Sequence, residues 1–256
     1  AGLAAAGRHP IVLLPGTSAL FEGLAGLREA VAWAWRNEGG VSVPLCIVAP
    51  CGPGLGVGAD GGETAAALLA AVPGLHVLCA SRPEEAGAWL RAAVGHASSH
   101  GPTVLLLPRR VLLTPPQGPL VRELGRSPTT PHRVRDGAAI TVLAWGAALA
   151  VALQAVEAAG IDAAVVDVGC LSPLPLAAIE AEARATGRLL LVHAGPRAGG
   201  VAAELAAHLA DAAILSLDAP ILRVSGAEPP LRPQDEADAL PRVERVIEAV
   251  QRLASY

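Results

Sequence analysis

The chain has 256 residues, a net charge of −4 from 19 basic and 23 acidic side chains, and an apolar content of 52%. That length suffices for one large domain or two ordinary ones with their own cores, and the charge balance excludes the basic face that nucleic-acid binding calls for. Mean hydropathy is +0.47, yet charges, Gly or Pro interrupt every apolar run before the roughly 20 residues that span a bilayer. All the basic residues are Arg and aromatics make up 2%, which reads as composition bias rather than a functional device. The opening AGLAAAGRHP lacks the basic-then-apolar order of a signal peptide, so a cytoplasmic protein is expected. Cys46, Cys51, Cys79 and Cys170 form no CxxC pair and have no His at zinc-ligand spacing; buried free thiols are the expectation.

In chain order, Ile11–Leu14 predicts a strand, Ser18–Arg36 a helix and Leu45–Ala49 a second strand. The Gly-rich loop Cys51–Gly62 follows, then a helix over Glu63–Val72 and a strand over His76–Cys79. Ser81-Arg82-Pro83-Glu84 matches a capping box with Pro near the first turn and predicts a helix to about Val94. His96 and His100 then fall in a polar turn, before a strand over Thr103–Leu107. The stretch Pro108–Asp136 holds six prolines, too many for a helix to run through. It reads as a linker.

A second alternating block follows. Strands are predicted over Ile140–Trp145, Ala163–Val168, Leu189–His193, Ile214–Leu217 and Ile221–Val224. Helices are predicted over Ala148–Ala159, Pro175–Thr186, Gly200–Ala210 and Pro241–Arg252. Strands alternating with helices imply crossover units and mostly parallel sheets. The fold class is therefore α/β, with two domains joined by a Pro-rich segment.

The residues by themselves show no self-evident active site. The loop Cys51–Gly62 has six glycines in twelve residues, and such strand-to-helix loops can cradle phosphates. It lacks a Walker Lys, and the next strand, HVLCA, ends without the acidic residue of a dinucleotide fingerprint. A plain surface loop is the competing reading. Asp60 and Glu63 suit a helix N-terminus without any chemistry. His193 ends the run LLLVH, and the carboxyl ends of parallel strands are where sites gather.

Longer stretches carry a resemblance. RVRDGAAITVLAWG (Arg133–Gly146), AAVVDVGCLSPLP (Ala163–Pro175), TGRLLLVHAGPRAGGVAAELAAHL (Thr186–Leu209), DAPILRVSGAEPP (Asp218–Pro230) and LPRVERVIEAV (Leu240–Val250) resemble the C-terminal domain of thiamine-diphosphate-dependent 2-oxoacid dehydrogenase beta subunits, which are transketolase-like. GRHPIVLL (Gly7–Leu14), VPLCIVAPCGPG (Val43–Gly54), VPGLHVLCASRPEEAGAWLRAAV (Val72–Val94) and PTVLLLPRR (Pro102–Arg110) resemble the family's pyrimidine-binding domain. The resemblance implies a partial pyrimidine-binding domain over 1–108, a linker over 109–136 and a transketolase C-terminal-like domain over 137–256.

In that family an alpha-type subunit holds the diphosphate and its Mg²⁺ with a Gly-Asp-Gly motif and a downstream Asn. This sequence has no such motif, and Asn37 is its one Asn. The resemblance therefore implies an alpha-type partner, a heterotetramer, and a pocket on this chain for the aminopyrimidine ring. The cofactor supplies the carbanion chemistry and the protein orients it. Phe21, Gly54, Gly56, Gly61 and Gly62 are the expected ring-side residues, and His193 is a candidate for the substrate cavity.

The departures are as specific. Gly16 and Ala19 stand where the family has aromatics, and its His-Ser pair falls on Gly61 and Gly62. Its strand-end Glu falls on Leu107, and the Glu after the His193 position is Ala194. The Asp of its cation-binding turn is not evident around Val94–Ser99. The Glu that pairs with the ring lies in an N-terminal region of roughly 60–70 residues, judged against ordinary domain size, that has no counterpart here. A separate chain supplying that segment is one expectation; a reduced site for another decarboxylation or carboligation is a second. The main expectation is an oxidoreductase or transferase subunit that decarboxylates a 2-oxoacid and transfers the acyl or aldehyde unit. The alternative is an inert structural subunit that stabilises an active partner.

Overall fold

The computed structural model describes residues 1–36, 43–56, 64–227 and 232–256. In chain order the first half holds α1 (Gly2–Ala5), β1 (Ile11–Leu13), α2 (Thr17–Arg36), β2 (Cys46–Cys51), α3 (Ala66–Ala70), β3 (His76–Cys79), α4 (Ala86–His100), β4 (Thr103–Pro108) and α5 (Arg109–Leu113). The second half holds β5 (His132–Arg135), β6 (Ile140–Ala144), α6 (Ala148–Ala159), β7 (Ala163–Asp167), β8 (Cys170–Ser172), α7 (Leu176–Thr186), β9 (Leu189–His193), α8 (Val201–Ala212), β10 (Leu222–Ser225) and α9 (Val243–Ala254).

The first sheet has the order β1-β2-β4-β3-β8 and the second β10-β9-β6-β7-β5. Pairing is parallel throughout, except where β8 joins β3 and β5 joins β7. The class is α/β with mostly parallel sheets.

The strands read as apolar runs because both faces are covered. In β2 and β4, Val48 and Leu105 pack under α4 with Trp89 and Ala93, while Ile47 and Val104 face α2 with Leu20, Leu27 and Val31. Alternate residues thus feed two cores, as the two-residue period of a strand requires. In the second sheet, Val142, Val165 and Leu190 pack against Leu149 and Val156 of α6 and Val250 of α9. Leu143, Val166 and Leu191 turn to the other face and join the core that contains Leu20 and Val31. The largest core therefore runs through both sheets, and β8, from the second half, completes the first sheet.

Several elements differ from the sequence reading. The helix expected to stop near Val94 runs to His100, so His96 and His100 lie on its last turn, not in a turn of their own. Residues 214–216 form a 3-10 turn instead of a strand, with Leu215 fully exposed. The helix expected over Glu63–Val72 is described as α3 alone, since Glu63 lies outside the described residues. The expected capping box does not form. The turn at Pro83–Glu85 has no side-chain cap, because the Ser81 hydroxyl is taken elsewhere. All four cysteines are buried and free. Burial pushes Cys46 up to about 11 and Cys51 up to about 12, so both stay protonated and unreactive at neutral pH.

Candidate functional site

Loops at the carboxyl end of a parallel sheet are where α/β folds place their sites. Three such loops of the first sheet converge. Gly16 and Thr17 follow β1, Gly52–Gly56 follow β2, and Arg109 follows β4. Arg109 is 6% exposed. Its Nη1 donates to the Gly52 carbonyl at 3.0 Å, and its Cβ lies 3.1 Å from the place of a Cβ on Gly54. Its Nη2 lies 2.7 Å from where a Cβ on Gly16 would stand. Gly54 has φ +148, which only glycine adopts readily. Thr17, the first residue of α2, is fully buried, and its Oγ1 has no hydrogen-bond partner among the described residues.

Phe21, one turn further along α2, is 38% exposed. Gly54 and Gly56 border a cavity of about 370 Å³ together with Pro53, Arg110, Leu113 and Glu236. Gly61 and Gly62 lie outside the described residues. The Gly56 N–H donates to Glu236 Oε2. Glu236 is 6% exposed and its Oε1 has no partner among the described residues. It belongs to the 3-10 segment Pro233–Ala239, whose Ala239 carbonyl accepts from the Gly195 N–H at 2.9 Å. Thr64 Oγ1 sits 2.7 Å from where a Cβ on Gly195 would stand. The 233–239 segment therefore ties the Gly-rich loop to the loop that follows His193.

His193 is 2% exposed at the end of β9. Its ring stacks on Trp145, with centroids 5.6 Å apart. Nδ1 donates to the Ala194 carbonyl at 3.0 Å, and Nε2 has no partner among the described residues. Burial, with Arg223 and Arg197 adding to it, lowers its pKa against the opposing hydrogen bond to Ala194. His193 is thus a buried neutral imidazole at the end of the second sheet, whereas Gly54 and Phe21 lie on a loop and a helix that follow strands of the first.

Sequence reasoning missed the polar bridge between the two halves. Ser81, just past β3, donates to Asp167 Oδ1 at 2.7 Å and accepts from the Gly146 N–H at 2.8 Å. Asp167 is 1% exposed, and burial pushes its pKa up to about 7 despite the Ser81 hydrogen bond. Nearby Glu85 is also buried. That burial opposes its charge, but hydrogen bonds from Arg82 and Arg126 outweigh it and hold its carboxyl below the usual range. Arg126 comes from the Pro-rich stretch and lies 6.0 Å over the Trp89 ring, which docks that stretch on α4. The capping-type sequence at Ser81 hid a tertiary role.

Among the described residues, no group of three or more His, Cys, Asp or Glu side chains is arranged to hold a metal ion, and no helix is long and apolar enough to cross a membrane.

The family comparisons match this layout. The transketolase pyrimidine binding domain family matches residues 1–114, and the transketolase C-terminal domain family matches residues 131–246. The pyruvate dehydrogenase E1 component subunit beta of Leifsonia xyli subsp. xyli is 31% identical over 261 residues, covering 100% of this chain and 76% of that protein. The 2-oxoisovalerate dehydrogenase subunit beta of Pseudomonas aeruginosa is 30% identical, covering 98% of this chain and 76% of that protein. A solved structure titled split gene transketolase, inactive beta4 tetramer, shares the fold with a TM-score of 0.67 at 23% identity, over 99% of this chain and 78% of that one. The fold and the paired domains define a transketolase-like protein. Within that class the chain belongs to the E1 beta subunit family of 2-oxoacid dehydrogenases.

That family is thiamine-diphosphate dependent, so the crevice can be tested for the ring. The family resemblance calls for aromatic flanks and a carboxylate at the ring. The crevice offers Gly16 and Ala19 on its flank and a guanidinium inside it. As built, these residues do not fit an aminopyrimidine.

Proposed function

We propose that this chain acts as the beta-type subunit of a heteromeric thiamine-diphosphate-dependent enzyme, active only with a partner. The partner is an alpha-type chain that holds the diphosphate and Mg²⁺. The assembly decarboxylates a 2-oxoacid and transfers the acyl or aldehyde unit. Phe21 and the Gly54–Gly62 loop face the cofactor side of the assembly, His193 borders the substrate side, and the work is cytoplasmic.

The observation that carries this reading is the outer edge of the first sheet. Among the described residues, strand β1 pairs only with β2 and exposes all three of its residues, Ile11, Val12 and Leu13. Trp33 and Trp35 of α2 are 43% and 70% exposed. A free apolar sheet edge is a surface that folded proteins tend to cover with further polypeptide, and the cover we propose is an alpha-type partner. A second reading, an inert subunit that stabilises an active partner, is favoured by the guanidinium in the crevice.

Native mass spectrometry of the chain co-expressed with an alpha-type partner, with and without thiamine diphosphate and Mg²⁺, separates these readings. A hetero-oligomer that gains the cofactor's mass and turns over a 2-oxoacid supports the first. A hetero-oligomer that gains no mass supports the second. A chain that assembles only with itself removes both.

A further inference from the structure

We infer that Arg109 is a built-in occupant of the ring crevice, closing this chain's side of the cofactor site until the side chain is moved out. The inference rests on reading the crevice at the ends of β1, β2 and β4 as the place of the family's ring. Three observations carry it. Arg109 is 6% exposed although Arg110 beside it is exposed. Its guanidinium is anchored to the Gly-rich loop through the Gly52 carbonyl at 3.0 Å. It lies where a side chain at position 16 would begin, 2.7 Å from the place of that Cβ.

The seat is shaped by the sequence. A Cβ at position 16 would require Nη2, the far end of the Arg109 side chain, to shift, and a Cβ at position 54 would press on the Arg109 stem at 3.1 Å and on Leu113 at 3.3 Å. The small residue at Gly16 and the long side chain of Arg109 are complementary in space. A flat, uncharged ring and a guanidinium cannot share this space, because interiors are packed without room to spare. The guanidinium also stands beside the first turn of α2, where a helix favours an anion over a cation. The Gly52 carbonyl and close packing are among the contacts that hold the seat against the local helix field.

Two measurements test the closure. The first uses the full chain, phenylglyoxal labelling and peptide mass mapping. Arg109 is expected to react far more slowly than Arg110, and Gly16→Ala is expected to bring the Arg109 rate close to the Arg110 rate. Equal rates in the wild-type chain overturn the seat. The second titrates thiamine diphosphate with Mg²⁺ into the assembly with the alpha-type partner. Arg109→Ser is expected to tighten binding about tenfold or more, with Arg252→Ser, exposed on α9, changing it by less than about twofold. Arg109→Met, which keeps the packed stem without the charged fork, serves if the serine variant melts early. A variant assembly that binds no better than wild type, or more weakly, overturns the closure. Failure of any hetero-oligomer to form removes the proposed function instead, and the labelling rates then decide the closure alone.

Discussion

Strands β6, β7 and β9 of the second sheet bury every one of their residues, whereas β1 of the first sheet exposes all three of its own. The edges differ in kind as well. The outer strands of the second sheet carry Arg133 and Arg135 on β5 and Arg223 on β10, charges of the sort that blunt a sheet edge against pairing. The outer strand of the first sheet reads Ile-Val-Leu with no charge. Among the described residues, one half is finished in that charge guards its sheet edges, and the other is unfinished in that it presents a bare apolar edge suited to a partner. The crevice with Arg109 lies in the unfinished half, while the buried His193 lies in the finished one. Stability and assembly are therefore expected to respond to different residues.

The largest expected effect lies where the halves share a core. Leu191 on β9 is fully buried in the cluster that also holds Leu20 and Val31. Leu191→Ala is expected to cost about 2–5 kcal/mol in urea unfolding, and Ile11→Ala on β1 less than about 0.5 kcal/mol. Similar costs at the two sites would erase the contrast.

A smaller effect tests the polar bridge. Asp167 titrates at about 7 instead of 3.8 because it is buried. The fold therefore binds its proton more tightly than the unfolded chain does. Its stabilising preference for the protonated form is complete below pH ~4 and is lost as pH rises through 7. At pH 8 the ionised carboxylate costs on the order of 4 kcal/mol. Asp167→Asn removes that cost but leaves an amide without a partner, worth about 1–3 kcal/mol. The variant is expected to gain stability over wild type at pH 8 and to lose that gain at pH 5. A variant equally destabilised at both values would mean that Asp167 stays ionised in the fold.

The first half carries a titrating group of the opposite sign. His96 Nε2 and His76 Nδ1 are 2.9 Å apart, and the His96 and His100 rings stack at 4.1 Å. Burial, followed by the charges of His100 and His76, lowers His96 from 6.5 to about 4. Here the fold disfavours the proton, so stability is complete above pH ~6.5 and falls as pH drops toward 4. After allowance for solvent screening the loss is roughly 1–2 kcal/mol. Thermal melts of His96→Gln between pH 7 and pH 5 are expected to fall less than those of wild type; parallel curves would exclude the cluster as the source.

Most of the framework was legible because a strand covered on both faces writes itself as an unbroken apolar run. Ile140–Ala144, Ala163–Asp167 and Leu189–His193 are such runs, bounded by Gly or by helical periodicity. Strand β8 is three residues long, and β5 alternates charged residues inside a Pro-rich stretch, so neither shows a strand signal. Ile214–Leu217 has the composition of a strand and, among the described residues, no sheet neighbour to pair with. The site was less legible for a physical reason. Arg109 meets Gly52 across 57 positions of sequence, and Ser81 meets Asp167 across 86. Local spacing carries no trace of either contact. The glycine at position 16 was visible as a departure, but only the folded chain shows what takes the space it leaves.

The smallest effect on the isolated chain bears most directly on the unfinished half. Leu13 is 73% exposed on the outer strand, and an exposed position away from caps and charges tolerates substitution within about 0.5 kcal/mol. Leu13→Arg adds to the first sheet the kind of charge that already guards β5 and β10. The isolated variant is expected to melt like wild type. In the assembly the same charge would have to be buried against an apolar partner surface, which costs far more than it does in water. Dissociation of the hetero-oligomer is expected to rise at least about tenfold, read by native mass spectrometry across a dilution series. Unchanged dissociation would move the partner away from β1 and leave the Trp33 and Trp35 face of α2 as the surface that assembly must cover.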